Sequence, residues 1–363
     1  MSRILILNHH GIGDVIMSLP LLKSLKMGSY GKKIDVVVKS QTEADIILAS
    51  GVANHIIIFH RENMSLIDKI RFILKLFGRY RMLIATVNIN ARMASFLGRL
   101  TLIRNRIGHS ADQSYTINVS LRHVHKVDNN LEIARILKCP LVERTPQITI
   151  PENDHIPINI SKHSHLVLGI HLSTGILIGN KRFDYSVETL KEIPLSFFLE
   201  LITAAESFFD FSVTWIFIGS KREEKLFNIL SQHMPKSFDF RNMIGKYSIL
   251  QTASVIKQLD VLVAGDSGLS HLAAAVGIPV IALFGPTDPS VTGPIGNQVA
   301  VFRGECTKSP CYPHDIYKCN SFYEDQLFPN RKIPSCMSNF NTEEILNTIL
   351  NFLSLKYTVN KEV

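Results

Sequence analysis

The chain predicts an α/β protein of two Rossmann-like parallel-sheet domains facing a central cleft, and three observations carry that prediction. Short apolar runs alternate with helical patterns along most of the sequence. The runs are continuous rather than alternating, as expected of strands buried on both faces. The whole pattern then starts again after a proline-marked polar stretch, and 363 residues are too many for one ordinary core.

Taken in order, Ile4–Leu7 reads as a strand, Asp14–Lys26 as a helix containing Pro20, and Ile34–Val38 as a second strand. A helix near Thr42–Ala49, a strand at His55–Phe59, a basic amphipathic helix at Leu66–Phe77 and a strand at Met82–Val87 follow. Helical patterns return at Ala91–Leu100 and Asn129–Leu137. Residues 140–164 hold Pro140, Pro146, Pro151 and Pro157 and read as the crossing between domains. The second half gives a strand at Leu166–Ile170, a polar loop, helix Ser196–Phe209 and strand Val213–Ile218. Helices at Arg222–Gln232 and Gln251–Lys257 precede a strand at Leu259–Ala264. Residues 303–336 look irregular, and Asn341–Leu355 is a closing helix capped by Asn341 or Thr342. The expected domains are therefore 1–160 and 161–340, with 341–363 as closing helix and tail.

Composition limits the class of partner. No run of eighteen apolar residues is present, and the first residues enter a strand directly without a signal-peptide pattern. A cytoplasmic location is expected, peripheral to the inner face of the cytoplasmic membrane. The net charge of +8 is uneven: residues 1–160 hold 21 Lys and Arg against 12 Asp and Glu, and residues 161–363 hold 18 against 19. Such a surface is either a solvated face or a seat for an anionic partner. Nucleic acid is not expected, because no finger, RNP or helix-turn-helix pattern is present. Cys306, Cys311, Cys319 and Cys336 have spacings unlike zinc knuckles, and loop or buried thiols fit them better than a metal.

Residues 260–289, DVLVAGDSGLSHLAAAVGIPVIALFGPTDP, hold the clearest chemistry. A strand stops on Gly265, a helix of small residues starts beyond Asp266, Ser267 and Gly268 with His271 on its first turn, and a second apolar run of strand length follows at Ile278–Phe284. Free N–H groups, a carboxylate and a hydroxyl thus meet at one sheet edge, which suits a sugar nucleotide. Asp266 as a plain helix cap and His271 as a satisfied helix side chain are the open alternatives. The first turn of the chain, His9-His10-Gly11-Ile12-Gly13-Asp14, places Asp14 at a helix N-terminus, where a base and an ordinary cap are both open. Gly11 and Gly13 let a substrate hydroxyl approach the backbone there. A third loop, His171-Leu172-Ser173-Thr174-Gly175 followed by Lys181, has hydroxyls and charge for a pyrophosphate. Among the N-terminal cations Arg61, Arg92 and Arg106 are the candidates for an anionic acceptor.

The chain resembles glycosyltransferase family 9, the lipopolysaccharide heptosyltransferases. GIGDVIMSLPLLKSLK resembles the family's opening motif, and NMIGKYSILQTASVIKQLD with the 260–289 segment resembles its C-terminal signature. The resemblance implies a GT-B fold and inverting transfer of a heptose from ADP-heptose to the lipopolysaccharide inner core or a related anionic, lipid-linked glycan. It implies Asp14 as catalytic base, Lys181 with Ser173 and Thr174 as diphosphate ligands, and Asp266, Gly268 and His271 as donor ligands. No cofactor or metal is implied. The family's K-x-W-P pattern is not met at Lys181-Arg182-Phe183-Asp184. Another donor or cell-surface acceptor within the family is the runner-up, and a sugar-nucleotide-binding protein without catalysis is the reading of another class. A dehydrogenase or epimerase would need the G-x-G-x-x-G fingerprint that the first turn lacks.

Overall fold

The computed structural model describes residues 3–28, 33–60, 64–158, 166–173, 191–311, 319, 321–329 and 331–359. They form two compact units, Met1–Thr149 and Ile150–Val363. The division falls earlier than residue 160 because residues 150–158 are tied to the second unit. Ile156 N donates to Ser254 Oγ at 2.9 Å, Ile158 N donates to Gln258 Oε1 at 3.0 Å, and Gln258 Nε2 returns a bond to the Ile156 carbonyl.

The first unit runs β1 (Ile4–Leu7), α1 (Ile12–Met27), β2 (Ile34–Val38), α2 (Gln41–Ala49), β3 (His55–Ile58), α3 (Leu66–Leu76), β4 (Met82–Ala85), α4 (Ala91–Leu100), β5 (Asn105–His109), β6 (Ile117–Val119) and α5 (Lys126–Ile136). Its sheet has the order β3-β2-β1-β4-β5-β6, with every pairing parallel. β1, β2 and β4 are buried along their whole length, as continuous apolar runs require. α1 continues through Pro20, at the cost of one intrahelical bond. Side chains of α3 and α4 enter one apolar cluster with Leu5, Leu83 and Ala85, so both helices cover the same face of the sheet.

The second unit repeats this topology. It runs β7 (Leu166–His171), α6 (Leu195–Phe208), β8 (Val213–Ile218), α7 (Glu224–Ser231), β9 (Asp239–Asn242), α8 (Ile249–Ile256), β10 (Val261–Gly265), α9 (Gly268–Ala275), β11 (Val280–Phe284), α10 (Pro289–Thr292) and β12 (Val299–Arg303). The antiparallel pair β13 (Phe322–Glu324) and β14 (Lys332–Pro334) precedes α11 (Thr342–Val359). The sheet order β12-β11-β10-β7-β8-β9 is again all parallel. Counted from each unit's first strand, both sheets have the 3-2-1-4-5-6 order of a doubly wound dinucleotide-type fold. Two such domains are the architecture of GT-B proteins.

Four strands of these sheets are absent from the sequence expectation: β5, β6, β9 and β12. β6, β9 and β12 lie at sheet edges: β9 is mostly polar, the usual way of blunting an edge, β6 is only three residues long, and β12 is apolar apart from Arg303. In β5, Asn105 and Arg106 precede the buried Ile107 and break the apolar run. α5 starts three residues before the expected Asn129, because His125 Nδ1 caps it by accepting from Val127 N at 3.2 Å. Gly277, at φ +88°, ends α9 in the left-handed conformation that favours glycine, with Ile278 N bonded back to the Ala273 carbonyl.

Candidate functional site

In doubly wound sheets the crevice for a ligand opens beyond the carboxyl ends of the two strands where the chain reverses its direction of winding. In the second unit those strands are β7 and β10. Beyond β10, Ser267 is the N-cap of α9, and Ser270 Oγ donates to the Ser267 carbonyl at 2.7 Å. Asp266 is therefore not the cap. Its carboxylate turns to Lys191 Nζ, which donates to Oδ2, and to Thr287 Oγ1, which donates to the same oxygen at 2.8 Å. Lys191, Asp266 and Thr287 are all buried.

A second set lies beside it. Ser267 Oγ and His171 Nδ1 are 3.2 Å apart, and His171 Nε2 stands 3.7 Å from Glu223 Oε1. Burial is the largest influence on the Glu223 carboxyl and opposes its charge. The imidazole of His171 and the Ser220 hydroxyl together overcome it and hold Glu223 below the usual glutamate value. His171 thus joins β7, α9 and the turn before α7. His271 is buried in α9, and Gly268 opens that helix. The first-turn N–H groups of such a helix lack intrahelical partners and favour an anion.

Lys191 is fixed from its own neighbour. Glu192 accepts from Ser173 Oγ at 2.6 Å through Oε1 and from Arg331 Nη2 through Oε2. Arg331 also reaches Asp325 Oδ2 at 3.3 Å, and that oxygen accepts from Leu195 N at 2.8 Å. Arg331, Glu192 and Asp325 are almost wholly buried. Such a network clamps residues 191–196 to the β13–β14 region and turns consecutive side chains to opposite tasks. Gly285, just past β11, is glycine for a related reason: a Cβ there would sit 2.4 Å from Met337 Sδ.

Lys191 escaped the sequence reading, although its signal is present. Lys191-Glu192-Ile193-Pro194 keeps the lysine and proline of K-x-W-P, with Ile193 in the aromatic position. Lys181, Thr174 and Arg61 lie outside the described residues. Ser173 is buried and serves Glu192.

In the first unit the reversal falls between β1 and β4. Gly11 is the N-cap of α1 in extended backbone, and a Cβ there would meet no atom within 4 Å, so the turn faces open space. Gly13 and Asp14 lie in the first turn. Asp14 Oδ1 accepts from Lys126 Nζ at 2.7 Å, and both side chains keep partial exposure, 30% and 18%. Lys126 went unread because α5 begins earlier than its apolar pattern shows. His10 is next to this pair. Burial lowers its pKa foremost, with Lys126 and His9 acting in the same direction and Asp14 against them. Its Nε2 is buried without a hydrogen-bond partner.

Two of the expected acceptor arginines, Arg92 and Arg106, make contacts within the first unit. Arg92 Nε donates to Asp112 Oδ2 at 2.7 Å. Arg106 Nη1 donates to the carbonyls of Ile103 and Arg104 at 2.7 and 3.0 Å, and its stem packs over Gly98. Among the described residues no group of three or more His, Cys, Asp and Glu is arranged to hold a metal ion, and the five cysteines form no disulfide.

Comparison with known proteins agrees with this arrangement. Residues 189–319 match the family model for glycosyltransferase family 9 (heptosyltransferase), a span that includes Lys191, Asp266, His271 and Thr287. Lipooligosaccharide heptosyltransferase 2 of Haemophilus influenzae is 36% identical over 87 residues, 23% of this chain and 25% of that protein. The chain thus matches about a quarter of the length of this curated relative. Escherichia coli ADP-heptose lipopolysaccharide heptosyltransferase II shares the fold with a TM-score of 0.71 at 18% identity, over 98% of this chain and 100% of that one. A family 9 glycosyltransferase from Veillonella parvula gives a TM-score of 0.73 at 16% identity, over 97% of both chains. Residues 189–319 thus resemble glycosyltransferase family 9 (heptosyltransferase), and the two doubly wound units share the fold of both solved proteins.

Proposed function

We propose that the protein is an inverting glycosyltransferase that moves a heptose from ADP-heptose to the lipopolysaccharide inner core or a related anionic, lipid-linked glycan. The observation that carries this reading is the buried Lys191–Asp266–Thr287 cluster beside the N-terminus of α9. That edge offers an ammonium, a hydroxyl and helix N–H groups to a diphosphate, and a carboxylate and an imidazole to sugar hydroxyls. The choice of ADP-heptose is supported by the likeness to the E. coli ADP-heptose enzyme.

In the proposed step Asp14 takes the proton of the acceptor hydroxyl as its oxygen attacks C1 of the heptose. The bond from C1 to the phosphate oxygen breaks on the opposite face, and ADP leaves with the electron pair. Lys191 and the N–H groups of α9 meet the charge that develops on the leaving diphosphate. Lys191 takes the diphosphate role that the resemblance assigned to Lys181. No metal or cofactor enters the step. The acceptor's anionic groups fit the cationic first unit, and its lipid anchor fits work at the cytoplasmic face of the membrane. Nucleic acid is not a partner in this reading.

Thermal shift across ADP-, UDP-, GDP- and TDP-sugars tests the donor assignment. A ligand at a hundred times its Kd stabilises the folded state by about 2.7 kcal/mol. ADP-heptose is expected to raise Tm most. Equal or greater stabilisation by a UDP- or GDP-sugar would overturn the choice of donor.

A further inference from the structure

The helices on one face of the first sheet each carry two apolar stripes where a surface helix needs one. On α3, Phe72 and Leu76 are buried in the core. Leu66, Ile67, Ile70, Leu74 and Phe77 are exposed, Leu66 by 74% and Leu74 by 64%. At about 100° per residue these five fall within an arc of about 100°, away from Phe72 and Leu76. α4 repeats the arrangement: Ala94 and Gly98 face the sheet, while Met93, Phe96 and Leu100 stand exposed at i, i+3 and i+7.

The two exposed stripes belong to one surface. α3 and α4 share the same core cluster, and Gly78 N, just past α3, donates to the carbonyl of Thr101, just past α4, at 3.1 Å. Leu102, at the same end, holds φ at +61°, a left-handed conformation unfavourable for a leucine, and its side chain is 62% exposed. Nine of the seventeen strongly exposed large apolar side chains among the described residues lie between Leu66 and Leu102. Single exposed leucines are ordinary, whereas a gathered patch marks a surface that meets something apolar.

The charge around the patch selects the occupant. Residues 64–106 hold nine Lys and Arg and one acid, Asp68, a net +8 equal to that of the whole chain. Arg71 and Lys75 flank the α3 stripe, Arg99 flanks that of α4, and Arg79, Arg81 and Arg104 are exposed beside the helix ends. A protein partner with a dry apolar face would not need this excess of cations. An anionic bilayer satisfies both features, taking the apolar stripes among its acyl chains and the cations among its headgroups. No helix among the described residues is long and apolar enough to cross a membrane, so α3 and α4 would lie in the plane of the interface.

We infer that the α3–α4 face of the first unit is a docking surface for an anionic lipid bilayer. This deepens the proposed reading by giving the membrane of the lipid-linked acceptor a seat on the chain. Vesicle binding needs neither donor nor acceptor, so it can fail while transfer stands, and the reverse.

Co-sedimentation of the full chain with vesicles of phosphatidylethanolamine and phosphatidylglycerol tests it, against vesicles of phosphatidylcholine alone. The wild type is expected to sediment with the anionic vesicles and to be released by high salt. Leu74→Glu with Phe96→Glu, both on exposed positions, should weaken partition by roughly tenfold or more. Lys75→Gln with Arg99→Gln should weaken binding to the anionic vesicles by roughly tenfold with the apolar stripes intact. Leu350→Glu, an exposed position on α11, should bind as wild type. All variants should keep the wild-type Tm and transfer heptose normally to a water-soluble acceptor lacking the lipid. The inference is overturned if the wild type stays in the supernatant, or if either double variant sediments as wild type does. It is equally overturned if the wild type forms dimers that Leu74→Glu with Phe96→Glu dissociates, with no affinity for vesicles.

Discussion

The two sheets share one topology and build opposite kinds of carboxyl edge. The second unit's edge is a closed network: Lys191, Asp266, Thr287, His171, Glu223, Glu192 and Arg331 are buried, and most bonds run between side chains. The first unit's edge is open, with Gly11 facing empty space and the Asp14–Lys126 pair partly exposed. Charge divides the same way. Up to Thr149 the chain holds 21 Lys and Arg against 10 Asp and Glu, and from Ile150 onward 18 against 21. A rigid edge suits a donor of one shape, and an open cationic unit suits a larger anionic acceptor that arrives from a surface.

The largest expected effect lies at the open edge. Asp14→Asn should leave the fold intact and cut turnover by about 10²–10⁴-fold. Near-normal transfer by the purified variant would remove Asp14 from the role of base.

Stability should respond in the reverse sense. Arg331→Leu leaves Glu192 and Asp325 buried without their cation and should cost about 3–5 kcal/mol in urea denaturation. Lys126→Ala, which breaks a partly exposed pair, should cost at most about 1 kcal/mol. Equal losses from the two would erase the contrast between a closed and an open edge.

Lys191→Ala should weaken ADP binding by roughly 10–100-fold, the worth of one charge-assisted bond. Titration calorimetry reads the change directly. An unchanged Kd for ADP would move the phosphate site away from α9.

The smallest effect is a difference in acid sensitivity. Burial lowers the pKa of His10 and His109 below the ordinary 6.5. The folded state then binds fewer protons than the unfolded one, so their stabilising share is present in full above 6.5 and is lost as pH falls from there through the lower folded-state value. Glu223 is also held below its ordinary 4.5, and its share is lost only when pH falls below that. Amide exchange in the first unit should therefore quicken at higher pH than in the second. Replacing His10 and His109 by Gln should delay the change, and an unaltered profile in that variant would dismiss the histidines as its source.

Most of the fold was legible because buried parallel strands leave continuous apolar runs, as in Ile34–Val38 and Val213–Ile218. β9 was not, since this edge strand carries Asp239, Arg241 and Asn242. At the site, Asp14, Asp266, Ser267 and His271 were legible through the turns that follow strands. Glu192, Glu223 and Arg331 were not, because their role depends on partners as far as 139 residues away, seen only once the chain is folded. Lys191 lies between: its spacing to Pro194 is readable, but Lys181, in a polar loop nearer Ser173, offers the same charge.

The account stands on transfer itself. Protein mixed with ADP-heptose and a heptose-free, phosphorylated inner-core acceptor should release ADP in step with a glycan heavier by one heptose. Omitting the acceptor should stop that release. Tight binding of ADP-heptose with no acceptor-dependent ADP would contradict the account and leave a protein that holds a sugar nucleotide without reacting it.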